Sequence, residues 1–214
     1  HDYGSYPMHA IFIRIANQFD YSFFGLSRTP GFIVGKEGVL FEEDYIFEYT
    51  GKYFVGREPI DRMVSRLKVV SDSLAAHDIP LVIVFESGKA GLYPEYIPGR
   101  YRPDRRTLTN YDCFTESCRR AGLPLLDLHP WLEKVKDTSR HPLFPKYGMH
   151  WSHYGTWLTA DTLAGHLAAV TGRAMPRFNV LGFEPNEHPR GSEHDIADML
   201  NLACPLPPAP SVSP

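Results

Sequence analysis

Amphipathic helical segments alternate with short apolar runs in the middle of the sequence, and this alternation constrains the fold most strongly. Between Pro59 and about His77, apolar residues recur every three or four positions, which predicts a helix with one buried face. Leu81 to Phe85 follow as a continuous β-branched and aromatic run, typical of a strand that is covered on both faces. We therefore expect a helix that leads into a central parallel strand.

The same pattern occurs again further along the chain. A helix is predicted from about Asn110 to Arg120, and Leu123 to Leu128 form a second apolar strand. A third helix, with apolar residues available to the core, is predicted from about Tyr154 to Val170. Because helices and strands alternate, the strands should pair in parallel through right-handed crossovers. The predicted fold is an α/β three-layer sandwich with a mainly parallel sheet.

Segments at the two ends of this region complete the predicted organisation. The segment from Gly31 to Phe41 places two β-type runs around a Gly-Lys-Glu-Gly turn, which predicts an N-terminal β-hairpin. A short helix is expected within 195–202, whereas Pro205 to Pro214 are too rich in proline for a packed element. We expect one domain over residues 1–204, incomplete at its C-terminal end, followed by a linker or truncated end at 205–214.

Composition excludes several classes of function. The 22 basic and 25 acidic side chains give a formal charge of -3, so a large positive field that would attract nucleic acid is not expected. The apolar runs are far shorter than the roughly 20 residues that a membrane-spanning helix needs. Cys113 and Cys118 lie five positions apart in a predicted helix, so the three cysteines do not indicate a disulfide framework.

Three segments are expected at the carboxyl ends of the strands, where α/β sheets bind ligands. In Glu86 to Gly91, Lys89 either faces an anionic or hydroxylated ligand or is an exposed surface lysine. In the second segment, Asp127 either caps a helix that begins near Pro130 or takes part in chemistry.

The third segment, Tyr147 to Gly155, gathers imidazole and aromatic side chains just before a helix. Its His150 could accept a proton from a hydroxyl near neutral pH, or it could be a structural or surface histidine. The pair His150 and His153 could also bind a metal if a third group such as His141 joined them, but this spacing is weak evidence. We predict no metal and no cofactor.

Five segments taken in order carry a resemblance to a known family. They are Gly35 to Phe41, the strand followed by Lys89 and Tyr93 to Pro98, Leu126 to Leu128, His150 to Ser152, and Asp195 to Leu200. Over most of residues 31–204 the chain resembles the alginate O-acetyltransferase family of the AlgJ/AlgX type. The resemblance implies a rearranged SGNH-hydrolase-like domain that transfers acetyl groups, through a serine ester, to hydroxyls of exported polysaccharides, usually in the periplasm.

The resemblance also implies particular residue roles. His150 and Trp151 match the family's Asp-x-His-Trp segment, but Gly148 stands where that segment has its aspartate. Either a Ser-His dyad or a substitute acid such as Asp127 would then be needed. The family's nucleophilic serine belongs to a Gly-Asp-Ser segment, which this sequence lacks. Either the segment lies beyond Pro214, which we expect, or the chain is a natural short homologue that has lost catalysis.

Two functions follow from these expectations. The first is an O-acetyltransferase, or a related esterase, in which this chain supplies His150 and binds substrate through Lys89, Trp151, His153 and Tyr154. The second is a non-catalytic carbohydrate-binding or assembly module, in which Trp151, Tyr154 and Tyr96 stack on sugars. The expected partners are a polysaccharide, an acetyl donor and other exopolysaccharide-export proteins, in an extracytoplasmic compartment.

Overall fold

The computed structural model describes residues 7–214, and within them helices outnumber strands. The α-helices are α1 (Pro7–Phe19), α2 (Glu43–Tyr49), α3 (Arg57–Ala75), α4 (Lys89–Leu92), α5 (Asn110–Arg120), α6 (His129–Lys136), α7 (His153–Thr171) and α8 (Asp195–Met199). The strands are β1 (Phe32–Val34), β2 (Leu40–Glu42), β3 (Ile83–Phe85), β4 (Leu125–Asp127), β5 (Glu184–Pro185) and β6 (Val212–Ser213). In this part of the chain no helix is both long and apolar enough to cross a membrane.

A parallel strand pair and two helices form the centre of the α/β fold. Strands β3 and β4 run parallel, with Ile83 opposite Leu125. Helix α5 connects them and packs on α3, as the repeated helix and strand pattern predicts. Its Thr109 cap and Asp112 form a capping box, which fixes the start of the helix. A buried cluster between these elements contains Ile60, Val64, Cys113, Cys118 and Leu123, and both of these cysteines are unpaired.

The prediction that β3 is covered on both faces is wrong for the described residues. Ile83 and Phe85 pack on the α3 and α5 cluster, whereas Val84 points the other way and is 38% exposed. Side chains alternate along a strand, so an apolar run covered on one side only leaves its middle residue facing outward. The paired strands of residues 7–214 form three two-stranded sheets.

The N-terminal hairpin is present as predicted. Strands β1 and β2 are antiparallel, with Phe32 opposite Glu42, and the turn between them includes a 3₁₀ turn at Lys36–Gly38. Gly38 has a φ of 73°, a left-handed conformation that favours glycine. The side chains of Leu40 and Phe41 are fully buried, so the hairpin forms part of the core.

Helix α7 is present as predicted, but it is less buried than its apolar residues suggest. Ser152 caps it by accepting a 2.9 Å hydrogen bond from the Gly155 amide. Leu158 packs on a buried cluster, whereas Val170 is 43% exposed. Apolar residues occur around the whole helix, so they cannot all face one core.

The proline-rich C-terminal segment is packed, which corrects the expectation of a linker without a packed element. Leu206 and Ala209 contact a buried cluster that includes Tyr147, and Val212 is buried. Strand β6 pairs with β5, and Ser211 accepts a 2.9 Å hydrogen bond from the Asn186 amide. A two-residue edge strand needs few backbone N–H donors, so neighbouring prolines do not prevent it.

We predict that Ile60→Ala lowers the free energy of unfolding by about 2–5 kcal/mol, because Ile60 is fully buried between α3 and α5. Met63→Ala, on the same helix at a position that is 50% exposed, should change it by about 0.5 kcal/mol or less. Urea unfolding of both variants checks this. Equal losses would show that α3 does not pack as described.

Candidate active site

A large cavity lies at the carboxyl ends of β3 and β4. It has a volume of about 1260 Å³, and its lining includes Phe85, Glu86, Ser87, His129, His150 and Trp151. Phe85 is the last residue of β3, and His129 follows β4 by two positions. The structure therefore places His150 at the sheet edge where parallel α/β folds bind ligands.

His150 is held by a carboxylate from a distant part of the sequence. Its Nδ1 lies 2.6 Å from Oδ2 of Asp195, the first residue of α8. The His150 side chain is 65% exposed, whereas that of Asp195 is 15% exposed. Among the described residues, Nε2 of His150 has no hydrogen-bond partner. The ring is thus oriented on one side and open on the other.

The residues after His150 fix the place of this loop. Trp151 packs on Phe144, with 4.7 Å between ring centroids, and also lines the cavity. Ser152 donates to the Pro142 carbonyl at 2.6 Å while it caps α7. His150 therefore precedes a firmly anchored helix end.

Lys89 is buried, which corrects the expectation that it either faces a ligand or lies exposed. Its ammonium donates to the carbonyl oxygens of Leu40 at 2.7 Å, Lys146 at 3.0 Å and Gly148 at 2.8 Å. Burial lowers the pKa of Lys89 to about 7, and the Asp195 carboxylate opposes that shift. Three carbonyl acceptors match the three donors of an ammonium group, so Lys89 joins backbone segments.

Among the described residues, Asp127 makes no hydrogen bond to His150, and it does not cap α6. Its carboxylate accepts hydrogen bonds from the Tyr111 hydroxyl at 2.9 and 3.0 Å and from Arg119 at 2.7 Å. Helix α6 has Leu128 at its N-cap position and no side-chain cap. Burial, followed by the hydrogen bond to Asp127, raises the pKa of Tyr111 strongly. The structure thus engages Asp127 with residues of α5 and leaves Asp195 beside His150.

Ser87 and His129 form a second hydroxyl and imidazole pair on the cavity wall. Nδ1 of His129 lies 2.7 Å from Oγ of Ser87, and its Nε2 lies 3.6 Å from a Glu133 carboxylate oxygen. The rings of Tyr111 and His129 pack in a T-shaped arrangement, with 5.2 Å between their centroids. Ser87 is only 3% exposed, so its hydroxyl is much less accessible than the His150 ring.

His153 and Tyr154 lie outside the cavity lining, although both were expected to bind substrate. His153 approaches the Val212 carbonyl and the buried Glu193 carboxylate, at 3.2 and 3.5 Å from its Nδ1. Tyr154 packs on the rings of His141, Trp157 and Phe183. Within residues 7–214, no three His, Cys, Asp or Glu side chains are grouped to hold a metal ion.

Two acidic residues at this site were missed by sequence reasoning. Asp195 holds His150, and Glu193 accepts the His153 amide at 2.8 Å and the Ser211 hydroxyl at 2.9 Å. The segment that begins with Asp195 is one of the five segments of the family resemblance, so the sequence does mark it as a segment of functional interest. No local pattern could show that its carboxylate meets a histidine 45 positions earlier.

A cavity at the carboxyl edge of parallel strands, with an oriented histidine on its wall, is typical of hydrolase-like α/β domains. The sequence matches the family described as "SGNH hydrolase-like domain, acetyltransferase AlgX" over residues 32–213. The chain belongs to this family, in agreement with the AlgJ/AlgX resemblance.

Similar proteins support this assignment. The chain is 25% identical over 182 residues to "Probable alginate O-acetylase AlgJ" of Pseudomonas putida, covering 85% of this chain and 43% of that protein. It is 26% identical over 159 residues to the protein of the same name in Azotobacter vinelandii, covering 74% and 39%. The chain thus spans less than half the length of these relatives.

Solved structures share the fold. The O-acetyltransferase domain of Pseudomonas putida AlgJ superposes with a TM-score of 0.55 at 22% identity, covering 86% of this chain and 63% of that one. Pseudomonas aeruginosa AlgX gives a TM-score of 0.50 at 19% identity, covering 85% and 42%. These likenesses confirm an SGNH-like α/β fold.

We predict that Lys89→Met lowers the free energy of unfolding by about 2 kcal/mol or more, because buried carbonyl groups lose their donor. Lys36→Met, at an exposed position in the hairpin turn, is the matched control and should have little effect. Urea unfolding measures both. If the two variants were equally stable, Lys89 would not join these segments.

Proposed function

We propose that this chain is the histidine-bearing part of an O-acetyltransferase that modifies hydroxyls of an exported polysaccharide. The observation that carries the proposal is the His150 imidazole, held at Nδ1 by Asp195 and exposed at the cavity. Family membership over residues 32–213 supports the same chemistry. By analogy with the relatives' names, alginate or a similar polymer is the substrate.

The proposed reaction needs a base whose free nitrogen faces the substrates. His150 Nε2 takes the proton of a serine hydroxyl as the serine oxygen bonds to the acetyl carbon, and the donor's ester bond breaks. The protonated imidazole then gives its proton to the leaving group. In the second half-reaction, His150 takes the proton of a sugar hydroxyl as the sugar oxygen bonds to the acetyl carbon. The serine ester bond breaks, and His150 returns the proton to the serine oxygen.

The proposed reaction also needs a nucleophilic serine. The sequence contains no Gly-Asp-Ser segment. We propose that this segment lies beyond Pro214 and contributes its serine to the cavity beside His150. The acetyl donor, the polysaccharide and exopolysaccharide-export proteins are the proposed partners, and the proposed location is extracytoplasmic.

His150→Ala in the full-length protein should lower acetyl transfer to an alginate oligosaccharide by roughly 10²- to 10⁴-fold, the usual contribution of a general base. Transfer from p-nitrophenyl acetate, followed by mass spectrometry of the oligosaccharide, measures it. His77→Ala, at an exposed position at the end of α3, should retain full activity. Full activity of His150→Ala would refute the role of this residue.

Aromatic rings on the cavity wall favour sugar binding, which an enzyme and a non-catalytic module would share. Tyr45, Tyr49 and Trp151 line the cavity, and Tyr49 is 42% exposed. Such rings stack on the apolar faces of sugars. If the protein bound oligosaccharide but never transferred acetyl, the carbohydrate-binding module would replace the enzyme as the proposed function.

We expect Tyr49→Ala to weaken binding of an alginate oligosaccharide about fivefold, which corresponds to about 1 kcal/mol of lost stacking. Phe23→Ala is the control, since Phe23 is 73% exposed and lies outside the cavity lining. Isothermal titration calorimetry measures both affinities. Equal affinities for the two variants would place the sugar elsewhere.

A further inference from the structure

The Asp195 carboxylate is fixed independently of His150. Its Oδ1 accepts the amide N–H groups of Met149 and Ile196, both at 2.8 Å, and its Oδ2 faces Nδ1 of His150 at 2.6 Å. The Met149 bond ties the carboxylate to the residue directly before the histidine. The two oxygens therefore have different partners, and only Oδ2 is available to the imidazole.

This arrangement selects one form of the neutral imidazole. A carboxylate oxygen can only accept, so the ring proton must lie on Nδ1. The lone pair of Nε2 then faces the cavity, where a hydroxyl proton can be taken. Asp127, the other candidate acid in the sequence, is bonded to Tyr111 and Arg119 and so does not select the form of the His150 ring.

Gly148 makes room for the segment that carries Asp195. A Cβ at position 148 would lie 2.1 Å from the Ser192 carbonyl oxygen, 2.8 Å from a Pro145 side-chain carbon and 3.1 Å from the Glu193 carbonyl carbon. Two of these neighbours are backbone atoms, which cannot rotate away as a flexible side chain would. Any side chain at position 148 must therefore displace the backbone of residues 192–193, just before Asp195.

Further bonds hold the two segments together on either side of this contact. The Ala197 amide donates to the Tyr147 carbonyl at 3.2 Å, and the His153 amide donates to Glu193 at 2.8 Å. Lys89 also donates to the Gly148 carbonyl at 2.8 Å. The approach at Gly148 is thus part of a continuous contact between 147–153 and 193–197.

We propose that Asp195 is the positioning residue of His150, and that Gly148 is required because it lets Asp195 reach the ring. The effect on turnover rests on the proposed acetyl transfer. The position of the ring proton does not depend on acetyl transfer, and it can be measured in the protein without substrate.

The first experiment is ¹⁵N NMR of the histidine rings, recorded well above the ordinary titration range of histidine. The wild-type protein should show His150 with its proton on Nδ1. In Asp195→Asn, the amide oxygen keeps the Met149 and Ile196 donors, so the NH₂ group faces the ring and donates to Nδ1. The His150 proton should therefore move to Nε2.

The matched control is Asp198→Asn. Asp198 lies on the same helix and contacts a different histidine, His194, at 2.9 Å. The Asp198→Asn substitution should leave the His150 signals unchanged. A His150 proton on Nε2 in the wild type, or on Nδ1 in a folded Asp195→Asn, would overturn the proposal.

Acetyl transfer by the full-length protein provides the second measurement. Asp195→Asn should lower kcat by at least roughly 100-fold, as expected when the wrong ring form is selected. Gly148→Ala should cause the same NMR change and a similar loss, whereas Gly182→Ala, with no atom within 4 Å of its Cβ, should do neither. Retained Nδ1 protonation in Gly148→Ala would refute the glycine requirement.

Failure of the proposed function would give a different combination of NMR and activity results. If the wild-type protein transferred no acetyl but the ring proton moved as described, the positioning role would stand and the transferase proposal would fall. If the wild type were active and Asp195→Asn equally active, the positioning role would fall alone.

Discussion

The buried ammonium group of Lys89 is the contact on which the arrangement of the site depends. It lies at the first residue of α4, just after β3, and bonds at once to the hairpin and to the loop that leads to His150. These segments are far apart in sequence, and within residues 7–214 no sheet has more than two strands. The hairpin and the loop are joined directly by the Leu40 amide, which donates to the Lys146 carbonyl at 2.9 Å. The Lys89 side chain adds a second link between segments that a larger sheet would join by strand pairing, and it fixes the backbone two residues before the histidine.

The close contact at Gly148 connects the loop that Lys89 holds to the segment that carries Asp195. On one side Lys89 holds the Gly148 carbonyl, and on the other the Ser192 and Glu193 backbone fills the space that a side chain would need. A glycine here, in place of the family's aspartate, therefore does not leave the histidine without a carboxylate. A carboxylate from α8 reaches the same ring because position 148 has no side chain.

Sequence reasoning succeeded where structure is determined locally. Helix α5 has the predicted bounds Asn110–Arg120, and the hairpin turn lies where its glycines indicated. It failed where a distant segment decides the outcome. Lys89 lies in a Gly-Lys-Ala-Gly stretch that has the composition of a surface loop, yet three carbonyl groups from elsewhere bury it. The proline-rich end was misjudged for the same reason, because composition describes a segment and not the surface on which it packs.

The two sides of the His150 ring differ in accessibility, and this difference separates the side that orients the ring from the side that can react. The carboxylate side is closed, with Asp195 only 15% exposed, while the ring itself is 65% exposed at a cavity of about 1260 Å³. The proposed segment beyond Pro214 would place its serine on this open side of the ring. The same openness also admits water, so the fixed Nδ1 contact must orient the ring without help from burial.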